Sequence, residues 1–550
     1  MKSVEVNLFD RNGDIQYGLN WGNRDNRDRN EAYLQLSPDV YKSNFFPEKG
    51  IYFVVETDDN ETLIMNRAQK GVGTAIQTPE NNATLGLYIR KRLGIPSGTE
   101  ITVNHLKNSN LTKFIFTKID DKHFRLSTNT LQENNDIISL DLESTIKNAD
   151  DNTKRQFDYL RAMRTKPFLL LAGISGTGKS RIVKQMAFDS CPDNAELRSD
   201  PTSPGNYCLI EVKPNWHDST ELLGYESKIG GAHYQLTTFV KFLIKAMLHP
   251  NVPFFVCLDE MNLAPVEQYF AEFLSVLESR TKLEDGHIVS EPLIKADIFA
   301  NKDYELKLQD DLFGLELKEE INKDGSQRII SGKLPDEMQP MYEALKKHGL
   351  RIPENVVVIG TVNMDETTHQ FSRKVIDRAM TIEMNLPEGD PFMDFFTNAS
   401  DLSYRTNPTS ASLYLATETK AKDVIKDLSD ADDRKTEWLK GEIASVLTRL
   451  NDALDGTPFK VAYRVQNELL LYFYQMWREN KSAKWKEILY TSVDQILMMK
   501  VLPRVEGDEE LLEGPLKRLI EFAAPYPNAK KKLDEMKKRL EESRFTSFWP

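Results

Sequence analysis

Cysteine is scarce in this chain of 550 residues. There are three, Cys191, Cys208 and Cys257, and no CxxC pair among them. That excludes a disulfide framework and a zinc ribbon, and it fits a reducing compartment. No stretch approaches the roughly 18–20 consecutive apolar residues of a membrane span. The opening MKSVEVNLFDRNGD lacks the apolar core of a secretory leader, so a cytoplasmic protein without membrane contact is expected. Bulk positive charge is also lacking. The net charge of −13 excludes a polycation that grips nucleic acid by charge alone. The deficit is uneven, with 17 basic against 18 acidic residues in positions 1–140, so DNA contact is more plausible there than in the acidic remainder.

What is present centres on GISGTGKS, Gly173 to Ser180. The apolar run Phe168–Ala172 precedes it and a helically spaced segment from Arg181 follows. Strand, glycine loop and helix form the context of a Walker A motif. Gly173, Gly176 and Gly178 let backbone N–H groups close around phosphate oxygens, and the helix N-terminus adds partial positive charge. Lys179 can reach the terminal phosphates and Ser180 can hold Mg²⁺. The candidate nucleotide-binding stretch is thus Gly173, Ser175, Gly176, Thr177, Gly178, Lys179, Ser180 and Arg181. Some eighty residues on, Pro253–Leu258 is apolar and ends in Asp259-Glu260, a Walker B arrangement. Asp259 can hold Mg²⁺, and Glu260 can orient the attacking water. A further apolar strand, Arg351 to Gly360, leads to Asn363, the candidate for positioning that water or the γ-phosphate. Arg373 and Arg378, on a helix expected over 371–378, can stabilise charge on a nucleotide held by a neighbouring subunit.

Residues 1–140 read as β-rich. Strands are expected at 32–36, 51–57, 62–65, 114–117 and 123–126, with turns at Asp58–Asn60 and Asp120-Asp121. A helix is expected over 82–93, with Leu85, Tyr88, Ile89 and Leu93 on one face and Arg90, Lys91 and Arg92 opposite. The loop Leu19–Asn30 mixes amides and arginines, side chains able to pair with base edges. A solvated loop whose arginines pair with Asp25 and Asp28 is the other reading. Beyond residue 400, helices are expected at 438–454, 465–477, 485–499 and 511–522, then a charged helix at 530–544. Residues 281–350 interrupt the core, with Glu305 to Lys333 charged and short of apolar periodicity; hairpins or a partner-facing insertion both fit.

Two resemblances sharpen this. The segments LNWGNRDNRDRNEAYLQL, YFVVETDD, NRAQ and TPENNATLGLYIRKRLGI resemble a B3-like DNA-binding pseudobarrel, the target-recognition domain of several restriction endonucleases. The resemblance implies two arms in the major groove of duplex DNA. Trp21, Asn23, Arg24, Asn26, Arg27 and Arg29 are candidates for one arm, and Arg67, Gln69 and Lys70 for the other. The segments GISGTGKS, NWHDSTELLGYES, LDEMNLAPVEQYFAEFLSVLESR and IGTVNMDETTHQFSRKVIDRA resemble the AAA+ domain of the McrB family, over residues 165–505. That implies GTP rather than ATP hydrolysis, a hexameric ring and an McrC-like endonuclease partner. The run VAYRVQNE resembles the family's lid, which implies that Arg464 senses the phosphates. Glu366 departs from the pattern, standing where the family has Asp.

The expected fold is an α/β AAA+ P-loop core with a helical lid, preceded by a mostly-β pseudobarrel. The boundaries are 1–140 for DNA recognition, 141–164 for a linker and leading helix, 165–400 for the nucleotide core with an insertion at 281–350, and 401–550 for the lid. No nuclease signature stands out, so cleavage is expected in a separate subunit. Rival readings are a MoxR-like ATP-dependent remodeller whose first domain binds protein, and a nucleotide-gated DNA-binding scaffold with negligible turnover.

Overall fold

Alternation governs the first part of the chain. Ser3–Asn7 and Tyr52–Thr57 bury every second residue, the period of a strand with one face on a core. A computed structural model describes residues 3–549 except 11–12, 25–26, 44, 58–61, 69–73, 80–81, 94, 109–110, 120–121, 128–150, 230, 316–317, 322–326, 332–333, 336–337, 365–371 and 385–400. The chain divides into two compact units, Met1–Leu142 and Glu143–Pro550.

The first unit is a seven-stranded sheet in the order Ser3–Asn7, Lys113–Lys118, His123–Ser127, Tyr52–Thr57, Thr62–Ala68, Ala75–Gln77 and Leu34–Gln35. Every pairing is antiparallel except that of Tyr52–Thr57 with His123–Ser127. Val4 and Val6 from one edge strand and Leu34 from the other enter the same core, so the sheet curls until its edges share one interior. Phe45, Phe46, Phe53, Phe116 and Phe124 fill the centre, with ring centroids 4.9–5.5 Å apart. The strand expected over 32–36 shrinks to Leu34–Gln35, and the two expected turns lie outside the described residues.

One expectation for this unit is corrected. The helix Asn82–Arg92 does bury Leu85, Tyr88 and Ile89, but Arg90 does not face solvent. It is 1% exposed and donates to the carbonyls of Thr99 (2.8 Å), Gly86 (3.1 Å), Arg29 (3.0 Å) and Asn30 (3.5 Å). Helical periodicity places a side chain on a face; it does not say whether a loop will cover that face. Here the Leu19–Asn30 loop does. Gly86 explains how it comes so close, because a Cβ there would collide with the Asn30 carbonyl.

The second unit carries a five-stranded parallel sheet in the order Met380–Glu383, Phe168–Gly173, Val356–Asn363, Phe254–Asp259 and Tyr207–Glu211. Phe168–Gly173 and Val356–Asn363 are buried at every position, as strands covered on both faces must be. Helix Lys179–Ser190 packs on one central strand, and Asp151–Thr165 leads straight into Phe168–Gly173. The 281–350 segment holds a hairpin (Thr281–Lys282 with Ile288–Val289), helices Ala296–Ala300, Lys302–Phe313 and Gln339–His348, and a second hairpin (Lys318–Ile321 with Gln327–Ser331). The helix Lys302–Phe313 falls where charge hid the periodicity; it buries only Tyr304 and Leu308. A helical region follows, with Ala421–Ala453, Tyr463–Glu479, Trp485–Ile496, Glu509–Phe522 and Pro527–Ser543. Among the described residues no helix is long and apolar enough to cross a membrane.

Gly86→Ala tests the loop clamp. An exposed helical site would gain up to ~1 kcal/mol from alanine. Here the added methyl must push the Asn30 carbonyl aside, so a loss of about 1–3 kcal/mol is expected in urea unfolding of the first unit.

Candidate functional site

The carboxyl edge of a parallel sheet is where its strands deliver side chains to a ligand. Phe168–Gly173 ends in the glycine loop. Gly176 and Gly178 both have φ of +81°, in open space, so it is their backbone conformation and not crowding that demands glycine. Gly178 caps the helix Lys179–Ser190. The Lys179 ammonium is buried and donates to the carbonyls of Ile174 (2.7 Å) and Gly173 (3.2 Å). Thr177 Oγ1 donates to the Ile174 carbonyl at 3.1 Å, while Ser175 and Arg181 are exposed on the loop and helix.

Val356–Asn363 lies between the Walker A and Walker B strands, with Asn363 level with Gly173. This register brings the acids together with the loop. Asp259 Oδ1 accepts from Ser180 Oγ (2.5 Å) and from Thr361 Oγ1 (2.7 Å). Thr361 Oγ1 in turn accepts the Glu260 backbone N–H at 2.9 Å, and Asn363 Nδ2 donates to Glu260 Oε1 at 3.2 Å. Glu260 has φ of +51°, a left-handed conformation that costs on the order of 1 kcal/mol for a residue with a Cβ, and Thr361 and Asn363 hold it there. Sequence reasoning missed Thr361; its signal was a hydroxyl just after the apolar run of the strand, two residues before Asn363. A hydroxyl beside a carboxylate is the hard oxygen set magnesium takes, so Ser180 and Asp259 are the residues able to hold that ion.

The arginines assigned from sequence lie elsewhere. Asp377 ends the short helix Arg373–Ile376 and precedes Met380, which is level with Leu169 near the amino end of the Walker A strand. Arg464 pairs with Asp377 and, at 3.0 Å, with Glu278. Glu278 also takes Lys166, two residues before that strand, at 2.6 Å. Arg464 therefore sits at the amino edge, a six-residue strand or roughly 20 Å from its own P-loop. The expectation that it senses phosphates within its own chain is corrected: its side chain is committed to two carboxylates. Arg373 lies over the Phe459 ring at 4.8 Å, and Arg378 donates to the Lys374 carbonyl at 3.0 Å; both share this edge. Residues 365–371, including Glu366, lie outside the described residues.

In the first unit the Leu19–Asn30 loop is clamped at both ends. Asn20 exchanges two hydrogen bonds with Ile101, and Asn30 Oδ1 accepts from Gly98. Asn23, Arg24, Arg27 and Arg29 are exposed on it. Arg24 stacks 3.7 Å over the half-buried Trp21, whose edge meets Tyr17 and Tyr33. Arg27 pairs with Glu31 at 2.5 Å, and Asp28 accepts from Asn30, so the described arginines of the loop are not tied to Asp28. Arg67 is corrected: it is 7% exposed and donates to the Tyr41 carbonyl at 2.7 Å, so it fixes a helix end and offers no surface to a groove. Asn26, Gln69 and Lys70 lie outside the described residues.

Residues 2–120 match the family of the NgoFVII C-terminal B3-like DNA-binding domain, and residues 416–545 match a domain of unknown function, DUF8727. No curated protein matches the chain. A solved structure from Cytophaga hutchinsonii described as a "putative ATPase" is 12% identical, with a TM-score of 0.30, over 66% of this chain and 89% of that one, a likeness too loose to assign a fold.

The amino edge yields a pH prediction. Lys500 is fully buried, in a π-helical turn Leu497–Val501, and donates to the Asp377 and Ala379 carbonyls. Burial pushes its pKa down to about 8, with Glu468 opposing and Lys166 and Arg504 adding to the fall. The unfolded chain keeps an ordinary lysine, so between pH 8 and about 10.4 it binds more protons than the folded one, and stability rises with pH. The penalty is complete below pH 8. Wild type should therefore gain stability relative to Lys500→Met as pH climbs from 8 to 10, read from paired urea melts.

Proposed function

We propose that this chain is an AAA+ motor that hydrolyses nucleoside triphosphate, GTP in preference to ATP, and reads duplex DNA with residues 1–140. Residues 141–164 connect that domain to the nucleotide core of 165–400, and 401–550 form its lid. The observation that carries the reading is the convergence of Lys179, Ser180, Asp259, Glu260, Thr361 and Asn363 above one glycine loop. The loop amides and Lys179 receive the phosphates. Ser180 and Asp259 hold magnesium, whose charge offsets that of the phosphate oxygens. Glu260, turned by its left-handed backbone and steadied by Asn363, takes the proton of the attacking water. Thr361 fixes both acids at once.

Arg373, Arg378 and Arg464 are a strand's length from the P-loop of their own chain. This supports a hexameric ring in which Arg373 and Arg378 face the nucleotide of the next copy and stabilise its transition-state charge, while Arg464 stays paired with Glu278 and Asp377. Hydrolysis then drives a separate, McrC-like endonuclease subunit. The match of residues 2–120 to a B3-like DNA-binding family, with the clamped loop carrying Arg24, Arg27 and Arg29, supports duplex recognition.

Purified protein should hydrolyse GTP faster than ATP, and duplex DNA or the nuclease subunit should raise the rate. Glu260→Gln should keep nucleotide binding and lose ~1,000-fold in turnover; Lys179→Ala should lose binding itself. Turnover of ATP indifferent to DNA would overturn the restriction-motor reading in favour of a protein remodeller.

Replacing Arg24, Arg27 and Arg29 together by alanine should weaken duplex binding at least tenfold. It should also flatten the salt dependence, by up to about 0.9 in slope for each phosphate left without its arginine. An unchanged mobility shift would place the DNA surface elsewhere.

A further inference from the structure

A cavity of about 320 Å³ opens where the sheet's amino edge meets the helical region. Lys166, Pro167, Arg280, Lys420, Tyr463 and Arg464 are among the residues that line it. Three of its four cations have partners. Lys166 pairs with Glu278 and Glu468, Arg464 with Glu278 and Asp377, and Lys420 donates to Thr281 Oγ1 at 2.6 Å. The third lining carboxylate, Glu418, is taken by Lys282 and Arg478. Arg280 is different. It is 6% exposed, and its Nε and Nη2 are buried without an acceptor among the described residues. Burial pushes its pKa down to about 10, with Glu354 opposing, so it stays charged at neutral pH. A buried cation without a hydrogen-bonded partner is costly, and the charge of Glu354 offsets that cost only in part.

We infer that this cavity is an anion site, in which the Arg280 fork takes an oxyanion with two acceptor oxygens, a phosphate or a carboxylate. The planar guanidinium carries paired N–H donors that match such a ligand, and Lys420 adds a second cation to the same lining. The site is separate from the P-loop, at the other edge of the sheet, and does not depend on what the P-loop binds. The anion is either free in solution or an acidic side chain of a second copy of this chain.

The test uses the full chain with Lys179→Ala, so that phosphate cannot score at the P-loop. Thermal melting is followed with increasing inorganic phosphate at constant ionic strength. The expected result is a rise of ~3 °C. Arg280→Met in the same background should melt higher without phosphate, because the only partly compensated charge is gone, and should not respond to it. Arg280→Lys keeps the charge but loses the fork, and should need ~10-fold more phosphate. Sedimentation velocity separates the sources. A phosphate response at constant mass assigns a free anion. Assembly that phosphate dissolves and Arg280→Met weakens assigns an acid of the second copy. An equal phosphate response in the Arg280 variants means an adventitious ion only and overturns the site, as does the absence of any response together with unchanged assembly. Should Arg280→Met fail to fold, Arg280→Lys decides alone, and an undiminished response sinks the site.

Discussion

One buried carboxylate holds the helical region on the sheet. Glu468 is 2% exposed and makes ion pairs at 3.0 Å with Lys166, at the foot of the Walker A strand, and with Lys500, in the π-helical turn. A lone charge in such surroundings would neutralise or be expelled. Between two ammoniums it is tolerated, and removing one partner from a buried pair costs about 3–5 kcal/mol because the other is left stranded. From Glu468 the alternation continues through Lys166, Glu278, Arg464, Asp377 and Arg504. These residues come from several separate elements, so the chain of charges fixes the helix Tyr463–Glu479 against the strand foot and against the helix Arg373–Ile376.

The two edges of the sheet thus carry different chemistry. The carboxyl edge gathers hydroxyls, an amide and two acids around a glycine loop, groups that can be satisfied by water or by a ligand. The amino edge is ionic, its carboxylates held between lysines and arginines. A fully buried strand of six residues joins them, and close packing makes it a stiff connection rather than a compliant one. A shift of the helical region has to break or move the Glu468 pairs, so it is felt at the foot of the strand whose head bears the P-loop.

Much of the carboxyl edge was legible in the sequence because its signals are local. A glycine loop after an apolar run, and an acid pair after another, state both the element and the side chain's place on it. Thr361 was not legible. Its role comes from parallel register, which sets it beside Asp259 across a strand boundary that no local pattern reveals. Arg464 was misread for a related reason. Similarity of the VAYRVQNE segment speaks to the helix, whereas the position of that helix over the sheet is decided by Glu278 and Asp377, far away in the chain. The helix Lys302–Phe313 escaped because only two of its side chains are buried, too few to print a period.

Arg67 and Arg90 were both placed on the surface by residue type, and two further arginines share the physical reason why that is wrong. Arg67, Arg90, Arg164 and Arg280 are all at most 7% exposed. A guanidinium stays charged when buried, so each must find acceptors or pay for their absence. Arg90 finds four backbone carbonyls and shapes a loop. Arg67 takes the Tyr41 carbonyl at a helix end. Arg164 shares Glu479 with Arg161, and although burial pushes that carboxyl up, the two guanidiniums hold it below the usual range. In each of the three at least one acceptor comes from a segment distant in sequence, which no local pattern reveals. Arg280 meets the same demand with no described acceptor, and the physics that makes the other three structural makes it the place where the fold has room for something negative.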